Sequence, residues 1–319
     1  MWRSDRIFAL VLIGVTLLAA FGNWFTSASA PPESSYVPDT SIGTTDIALI
    51  KITGGISEGD GGGGLFQTGG AGSNAIVKAI KQAREDKVKA ILLQINSPGG
   101  TASASNAIHR ELMRTRETSD TKVVALLGDV AASGGYYVAS AANHIVANPD
   151  TLTGSIGVII RTQNLSPLLE KVGVESGNFK SGQFKDILSP YRSATPDEQA
   201  LLQSLVDESY QGFLNAIATG REMSLDQIKP YADGRIMSGN QALEAKLVDS
   251  LGNYFDAIEK VREVAGIEDD DPSIRSYPGS RLQERLNELF STSMDSLIPG
   301  YAQAQQALQW NKVPLALWE

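Results

Sequence analysis

The sequence contains no cysteine, so disulfide bonds, thiolate catalysis and cysteine-ligated metals are excluded. It contains only two histidines, His109 and His144, which leave almost no ligands for a multi-histidine metal site. Acidic residues outnumber basic ones to give a net charge of −9, and no long basic block occurs. These absences argue against nucleic acid as the main partner, and the sequence predicts neither a metal nor another cofactor.

The chain has 319 residues, of which 42% are hydrophobic, enough for one large domain or two small ones around an apolar core. Near the N-terminus, Ile7–Phe25 is a run without any charged residue. As a helix it would be about 28 Å long, close to the hydrocarbon thickness of a bilayer. Arg3 and Arg6 precede the run, and no Lys or Arg follows it before Lys51.

This asymmetry predicts a single-pass anchor within residues 1–26, with a cytoplasmic N-terminus and the rest of the protein outside the cytoplasm. The alternative is a signal peptide cleaved after Ala30, because Ala28-Ser29-Ala30 has the small-x-small form of a cleavage site. Residues 27–45, rich in Ser, Thr and Pro, are predicted to be a linker. A globular domain over residues 46–277 follows.

Helical and extended patterns alternate in this domain, which predicts an α/β fold with a largely parallel sheet. The predicted strands are Asp46–Ile52, Val88–Ile95, Lys122–Leu127, His144–Ala147 and Ile156–Ile160. The predicted helices are Ser73–Asp86, Ser103–Glu117 and Ser133–Ala142, with mainly helical structure from Thr195 to Val264. The glycine-rich stretch Gly54–Gly72 is predicted to be a flexible surface loop, because no regular element tolerates four consecutive glycines well.

Residues 278–319 are predicted to form a separate C-terminal tail. Arg281–Met294 has an amphipathic helical pattern, and Trp310–Glu319 is an apolar end that is costly to leave in water. Docking of this end onto its own domain or a neighbouring subunit is the favoured interpretation. Binding to a membrane surface or a groove is the alternative.

Two segments follow buried strands with turn chemistry. Asn96-Ser97-Pro98-Gly99-Gly100 has glycines that free the backbone to point N–H groups at a ligand. Ser133 lies between an apolar strand and a helix, which is the context of a nucleophile elbow. Alanine at position 131 departs from the Gly-x-Ser-x-Gly pattern, and an N-cap serine would occupy the same place.

A serine hydroxyl needs a base before it can act as a nucleophile. No motif surrounds either histidine, so a structural or surface role is expected for both, and lysine becomes the candidate base. A lysine accepts a proton only when neutral, which requires burial or nearby positive charge. Lys185 lies between Phe184 and Ile187-Leu188, which is consistent with an apolar pocket, and Lys180 is the alternative candidate.

Together these segments resemble the signal peptide peptidase A family, over roughly residues 45–265. The matching motifs are Asn96-Ser97-Pro98-Gly99-Gly100, Ala132-Ser133-Gly134-Gly135-Tyr136-Tyr137, Thr153-Gly154-Ser155-Ile156-Gly157-Val158, Gly182-Gln183-Phe184-Lys185-Asp186, Ala232-Asp233-Gly234-Arg235 and Ala245-Lys246-Leu247-Val248-Asp249. The resemblance implies a Clp-protease/crotonase-like fold of repeated ββα units, here preceded by one transmembrane helix. It makes residues 46–277 the peptidase domain.

The resemblance also implies roles by position. Ser133 corresponds to the nucleophile and Lys185 to its general base, with Ser155 orienting the lysine. The N–H groups of Gly100 and Gly134 correspond to the oxyanion hole. Because the chain matches the family's short form, the resemblance implies a homo-oligomer in which serine and lysine come from different subunits.

The implied substrates are hydrophobic, namely signal peptides left in the membrane after secretion. Three alternatives stay open on the sequence. The first is a related quality-control peptidase for membrane proteins, which the motifs cannot separate from the main interpretation. The second is a crotonase-like acyl-CoA enzyme, which would need no nucleophilic serine. The third is an inactive membrane scaffold.

Overall fold

The computed structural model describes residues 45–60 and 70–277. The predicted anchor, nearly all of the predicted linker and the predicted C-terminal tail lie outside these residues. A search of the described helices for one with the length and apolarity needed to span a bilayer finds none.

The described residues form an α/β structure with ten strands and eight α-helices. The strands are β1 (Ile47–Thr53), β2 (Ile56–Ser57), β3 (Ala71–Gly72), β4 (Ala90–Ser97), β5 (Lys122–Ala132), β6 (His144–Ala147), β7 (Leu152–Gly154), β8 (Ile236–Met237), β9 (Ser250–Leu251) and β10 (Ile274–Tyr277). The helices are α1 (Ser73–Glu85), α2 (Ala102–Thr118), α3 (Gly134–Ala139), α4 (Ser166–Lys171), α5 (Pro196–Arg221), α6 (Leu225–Ile228), α7 (Gly239–Glu244) and α8 (Tyr254–Ala265), with a 3-10 turn at Lys229–Tyr231.

The main sheet has the strand order β10-β1-β4-β5-β6-β9, and every neighbouring pair in this path is parallel. The end of β5 also pairs with β7, which in turn pairs antiparallel with β8. The predicted α/β class with a largely parallel sheet is therefore confirmed. Since parallel strands end at the same edge of a sheet, the residues that follow β4 and β5 are brought together.

Alternation along the strands separates two apolar layers. In β4, Ile91, Leu93 and Ile95 pack into a core shared with α1, α2, α3 and α5. Leu92 points to the opposite face, where Val261 of α8 belongs to the same cluster. Both faces of the sheet are covered by helices, which explains why its central strands are nearly continuous runs of aliphatic residues.

The long helix α5 begins where the sequence predicts it. Thr195 accepts a hydrogen bond from the N–H of Glu198, and the Glu198 carboxylate accepts one from the N–H of Thr195. This capping box satisfies two groups that the start of a helix would otherwise leave unpaired. The helix ends at Arg221, before Glu222 adopts a left-handed conformation.

Three predicted elements need correction. The strand predicted at Ile156–Ile160 is wrong, because the strand is β7 and no regular element occupies residues 155–165. Gly154 and Ser155 both have positive φ, which turns the chain away from β5. The helix predicted to begin at Ser133 begins at Gly134 and is shorter, and β5 continues to Ala132. The stretch predicted as a flexible loop contains β2 and β3, which pair with each other.

Candidate active site

Ser133 stands between β5 and α3 in a conformation that is rare for a residue with a side chain. Its φ is 52° and its ψ is −119°. Its N–H donates to the carbonyl of Gly154 at 2.9 Å, and its carbonyl accepts from the N–H of Tyr137 at 2.8 Å. Backbone strain of this kind persists only where surrounding contacts hold it, and such residues cluster at active sites.

The Pro98-Gly99-Gly100 turn is pressed against this serine. Gly99 has a φ of 101°, and a Cβ there would lie 2.9 Å from the Cβ of Ser133. A Cβ on Gly100 would lie only 1.8 Å from the carbonyl oxygen of Ile56. Both positions therefore require glycine, and the turn is clamped between the β2 region and the serine.

Hydrogen bonds also fix the Pro98-Gly99-Gly100 turn. The hydroxyl of Ser97, which is fully buried, donates to the carbonyl of Gly54 at 2.6 Å and accepts from the N–H of Gly99 at 3.1 Å. The N–H of Ile56 donates to the carbonyl of Gly99 at 2.9 Å. The turn is thus fixed by the segment that contains Gly54 and Ile56 and by its own Ser97 side chain, and its backbone is held in place before any ligand arrives.

Gly100 and Gly134 are direct neighbours. A Cβ placed on Gly134 would lie 3.0 Å from the nitrogen of Gly100 and 2.4 Å from the hydroxyl oxygen of Ser105. Gly134 is the first residue of α3, where a backbone N–H has no partner within the helix. Two backbone N–H groups beside a serine are a pair of donors that can hydrogen-bond to an oxyanion.

Ser133, Gly100 and Gly134 line one open cleft of about 1050 Å³. Ile56 lines it as well, together with Tyr137 and Phe213, whose rings stack with centroids 4.7 Å apart. Sequence reasoning did not identify this aromatic pair or the role of Ile56. The position of Tyr137 one helical turn after Ser133 is a usable signal, whereas Phe213 and Ile56 come from distant parts of the chain.

Ser155 follows the strand that pairs with the end of β5. Gly154 is the register partner of Ala132, so Ser155 and Ser133 leave neighbouring strands at the same point. The N–H of Ser155 donates to the carbonyl of Arg235 at 2.7 Å, and its φ is 51°. Ser155 is half-buried beside the cleft rather than part of its lining.

Lys185 is not brought to Ser133 within one chain. It is exposed, does not line the cleft, and lies in a segment without regular structure between α4 and α5. Its rival Lys180 has other contacts, because its amine bonds to the Asp186 carboxylate at 2.7 Å and to the carbonyl of Gln183 at 3.0 Å. In the part of the chain that the structure describes, no carboxylate lies within ion-pair distance of the Lys185 amine.

Neither histidine lines the cleft. His109 is buried, and the edge of one ring in the His109–Tyr137 pair meets the face of the other, with centroids 5.3 Å apart. Burial lowers the pKa of His109 to about 4. His144 hydrogen-bonds to the Ser250 hydroxyl at 2.9 Å. Across residues 45–60 and 70–277, no three His, Cys, Asp or Glu side chains are arranged to hold a metal ion.

The family model described as peptidase family S49 matches residues 115–268, and the Clp protease model matches residues 70–151. A Synechocystis sp. protein named as a protease is 43% identical over 255 residues, covering 76% of this chain and 87% of the relative. An Enterococcus faecium protein named as a signal peptide peptidase SppA is 37% identical over 223 residues, covering 69% of this chain and 64% of the relative.

The chloroplastic serine protease SPPA of Arabidopsis thaliana is 37% identical over 229 residues, covering 70% of this chain. The chain spans only 33% of that longer relative. The strained serine and the paired glycine N–H groups are features expected of a serine peptidase, and the similarities to known proteins indicate the same class. The chain belongs to peptidase family S49 and is a serine peptidase.

Proposed function

We propose that this protein is a membrane-anchored serine endopeptidase in which Ser133 is the nucleophile and Lys185 the general base. Its proposed substrates are signal peptides left in the membrane after secretion. The observation that carries the proposal is the contact of the strained Ser133 turn with the neighbouring N–H groups of Gly100 and Gly134, in a cleft large enough for a peptide.

The proposed reaction is a two-step acyl transfer. The Ser133 hydroxyl attacks the scissile carbonyl while the neutral Lys185 amine takes its proton. The N–H groups of Gly100 and Gly134 stabilise the oxyanion, and the lysine returns the proton to the leaving amine. Water then attacks the acyl-serine, with the lysine again accepting a proton and returning it to Ser133. Ser155, next to the strained turn, would orient the lysine.

A homo-oligomer would supply the base. The segment that carries Lys185 exposes large apolar side chains, with Phe179 fully exposed and Val172 and Leu188 each more than half exposed. Apolar surface on this scale is costly in water and marks an interaction site. A second copy that covers this surface would bring Lys185 to the cleft of its neighbour, which supports a site assembled between subunits.

The substrate proposal has three supports. The cleft wall contains Ile56, Val158, Ile159 and Phe213, which suit an apolar peptide. The short strand β2 borders the cleft, where an extended peptide could add as a further strand. One relative is named as a signal peptide peptidase. The uncharged run Ile7–Phe25 supports an anchor that would hold the enzyme at the membrane with the catalytic domain outside the cytoplasm.

The test uses the full chain in detergent with a fluorogenic hydrophobic peptide. Ser133→Ala and Lys185→Ala should each lose at least about a thousandfold in kcat/KM while keeping the wild-type circular dichroism spectrum. Lys171→Ala, in the same exposed part of the chain, is the control and should retain activity. Loss of activity in Lys180→Ala with activity retained in Lys185→Ala would assign the base to Lys180 instead.

Assembly between subunits is tested by co-expressing Ser133→Ala and Lys185→Ala chains. If each active site combines residues of two subunits, mixed oligomers contain some sites with both residues intact, and part of the wild-type activity returns. If both residues act within one chain, every site stays defective and the mixture stays inactive.

A further inference from the structure

The Lys185 segment has almost no apolar core of its own. Every residue from Lys171 to Lys185 is exposed, and between α4 and α5 the described chain contains no helix or strand. Yet Asp186, the next residue, has a mostly buried side chain with several polar partners. What positions this segment is therefore polar, and it is centred on Asp186.

We propose that Arg192 is a positioning residue for the proposed reaction, acting through Asp186 to hold Lys185 in place and to keep its amine a usable base. The inference rests on the proposed function. Arg192 is outside the cleft and would not contact the substrate. Its proposed effect reaches the chemistry through the main chain and through charge.

The Arg192 guanidinium donates hydrogen bonds to both the side chain and the main-chain carbonyl of Asp186. Nε donates to Oδ2 at 2.9 Å, and Nη2 donates to Oδ1 at 2.7 Å. Nη2 also donates to the backbone carbonyl of Asp186 at 3.1 Å. A bidentate arginine–carboxylate pair has a defined geometry, and the third bond fixes the peptide group between Asp186 and Ile187, one residue after Lys185.

The same guanidinium ties this site to the longest helix. Nη1 of Arg192 donates to Oε2 of Glu198 at 2.8 Å, and the Glu198 side chain is 1% exposed. Glu198 also accepts from the N–H of Thr195 in the capping box of α5. One arginine thus connects the exposed lysine segment to the start of α5, a helix that packs into the domain core through its later residues, from Phe213 onward. A lysine at position 192 could not span both carboxylates in this way.

The second effect is electrostatic. An isolated carboxylate at Asp186 would favour the charged form of the neighbouring Lys185 and so make it a poorer base. Two cations oppose it, since Arg192 and Lys180 both contact the carboxylate. Their hydrogen bonds hold the pKa of Asp186 well below its usual range, so it stays ionised at any working pH.

The charged side chains of the ion cluster next to Lys185 balance one another. Lys180 and Arg192 contribute two positive charges, and Asp186 and Glu198 contribute two negative ones. Three further acid groups matter: Asp197, which accepts from the Gln183 amide, and two acidic residues of the cleft that the lysine would enter. These cleft residues are Glu58 and Asp60. They stay in place when Arg192 is changed, so removing Arg192 makes the surroundings one charge more negative.

The test is the pH dependence of kcat/KM for the full chain. In the wild type the rate should rise towards alkaline pH as Lys185 loses its proton. Arg192→Gln should move the midpoint of this rise upward by about half a pH unit, because the added negative charge favours the ammonium. Asp186→Asn should move it downward. A purely structural role would lower the rate without moving the midpoint.

Arg192→Lys separates charge from geometry. It should keep the wild-type midpoint because the positive charge remains, yet lose about tenfold in kcat because the link to Glu198 is lost. Arg262→Gln is the matched control, since Arg262 likewise bonds a carboxylate, that of Asp270, and a backbone carbonyl, that of Glu268. It should leave both the midpoint and kcat unchanged.

The outcomes distinguish this proposal from the one on which it rests. An active Lys185→Ala enzyme overturns the proposed base. An inactive Lys185→Ala enzyme combined with a wild-type midpoint in Arg192→Gln overturns only the role of Arg192. If Arg192→Gln fails to fold by circular dichroism, Asp186→Asn decides the matter alone, and an unmoved midpoint there rejects the electrostatic effect.

Discussion

The two halves of the proposed dyad are built in opposite ways. The chain from β4 to β7, which presents Ser133, contains most of the fully buried residues of the domain. The segment between β7 and α5, which presents Lys185, is exposed along most of its length and includes large apolar side chains that are exposed to solvent, such as Phe179. The region around Ser133 is fully packed within a single chain, whereas the segment around Lys185 leaves apolar surface exposed to solvent.

This difference bears on how the site would form. The proposed nucleophile and oxyanion donors follow the ends of neighbouring sheet strands, where the turn at Gly99 and the carbonyl of Gly154 hold the strained serine. The proposed base, Lys185, would be positioned by an ion cluster on the outside of the domain. Assembly would then act as a condition for activity, since a lone subunit would have a prepared nucleophile without its base.

The largest effect is expected from removing the exposed apolar surface of the segment that carries Lys185. Phe179→Asp combined with Leu188→Asp should abolish assembly and reduce activity to the level of Lys185→Ala, because both side chains are exposed within the subunit. Light scattering and the peptide assay measure the two effects. Phe255→Asp, at another exposed phenylalanine, is the control. A double variant that dissociates but stays active would contradict an inter-subunit site.

The second prediction concerns the region around Ser133, where Gly134 has no space for a side chain. Gly134→Ala should lower kcat by about a hundredfold to a thousandfold, because the new methyl group would displace the Gly100 and Gly134 donors. In the lysine half, Gly177→Ala meets no atom within 4 Å and should leave kcat unchanged. Equal effects from the two alanines would remove the basis of the comparison.

The smallest expected effect concerns stability and leaves the site intact. Burial lowers the pKa of His109 to about 4 from an ordinary value of 6.5. The unfolded chain therefore binds a proton first as pH falls from 6.5, and stability should decrease by up to roughly 3 kcal/mol by pH 4. Below pH 4 this contribution should not fall further.

Urea unfolding at several pH values measures this loss. His109→Gln should give a shallower decrease between pH 6.5 and 4, although His144, whose pKa is also lowered by burial, keeps part of it. An unchanged pH dependence in His109→Gln would show that His109 is not the group that titrates.

Much of the central architecture follows from local pattern. Aliphatic runs such as Val88–Ile95 predict buried strands, and the positions of β1, β6, α1 and α2 agree with prediction within about two residues. The turn at Ser133 is also predictable, because a strand, a small-residue turn and a helix follow one another there. These features depend on residues close together in sequence, where periodicity and turn chemistry carry the information.

The failures have a common cause in long-range contacts. Ile156–Ile160 has the composition of a strand, yet the Ser155 N–H bonds to Arg235 and the chain leaves the sheet. The glycine-rich stretch has the composition of a loop, yet Ile56 pairs with Gly100 across 44 residues and forms a wall of the cleft. In both cases the deciding partner is distant in sequence, so no local pattern contains it.

The order of residues is enough to place Ser133 at the end of a buried parallel strand and to make Gly99 and Gly100 a turn, because strand periodicity and glycine conformations are local properties. It does not reveal that these glycines meet Ile56, that Phe213 stacks on Tyr137, or that Lys185 lies on an exposed surface beside an Arg192 clamp. Those facts depend on which distant surfaces bury one another, and that is settled by the free energy of packing the whole domain.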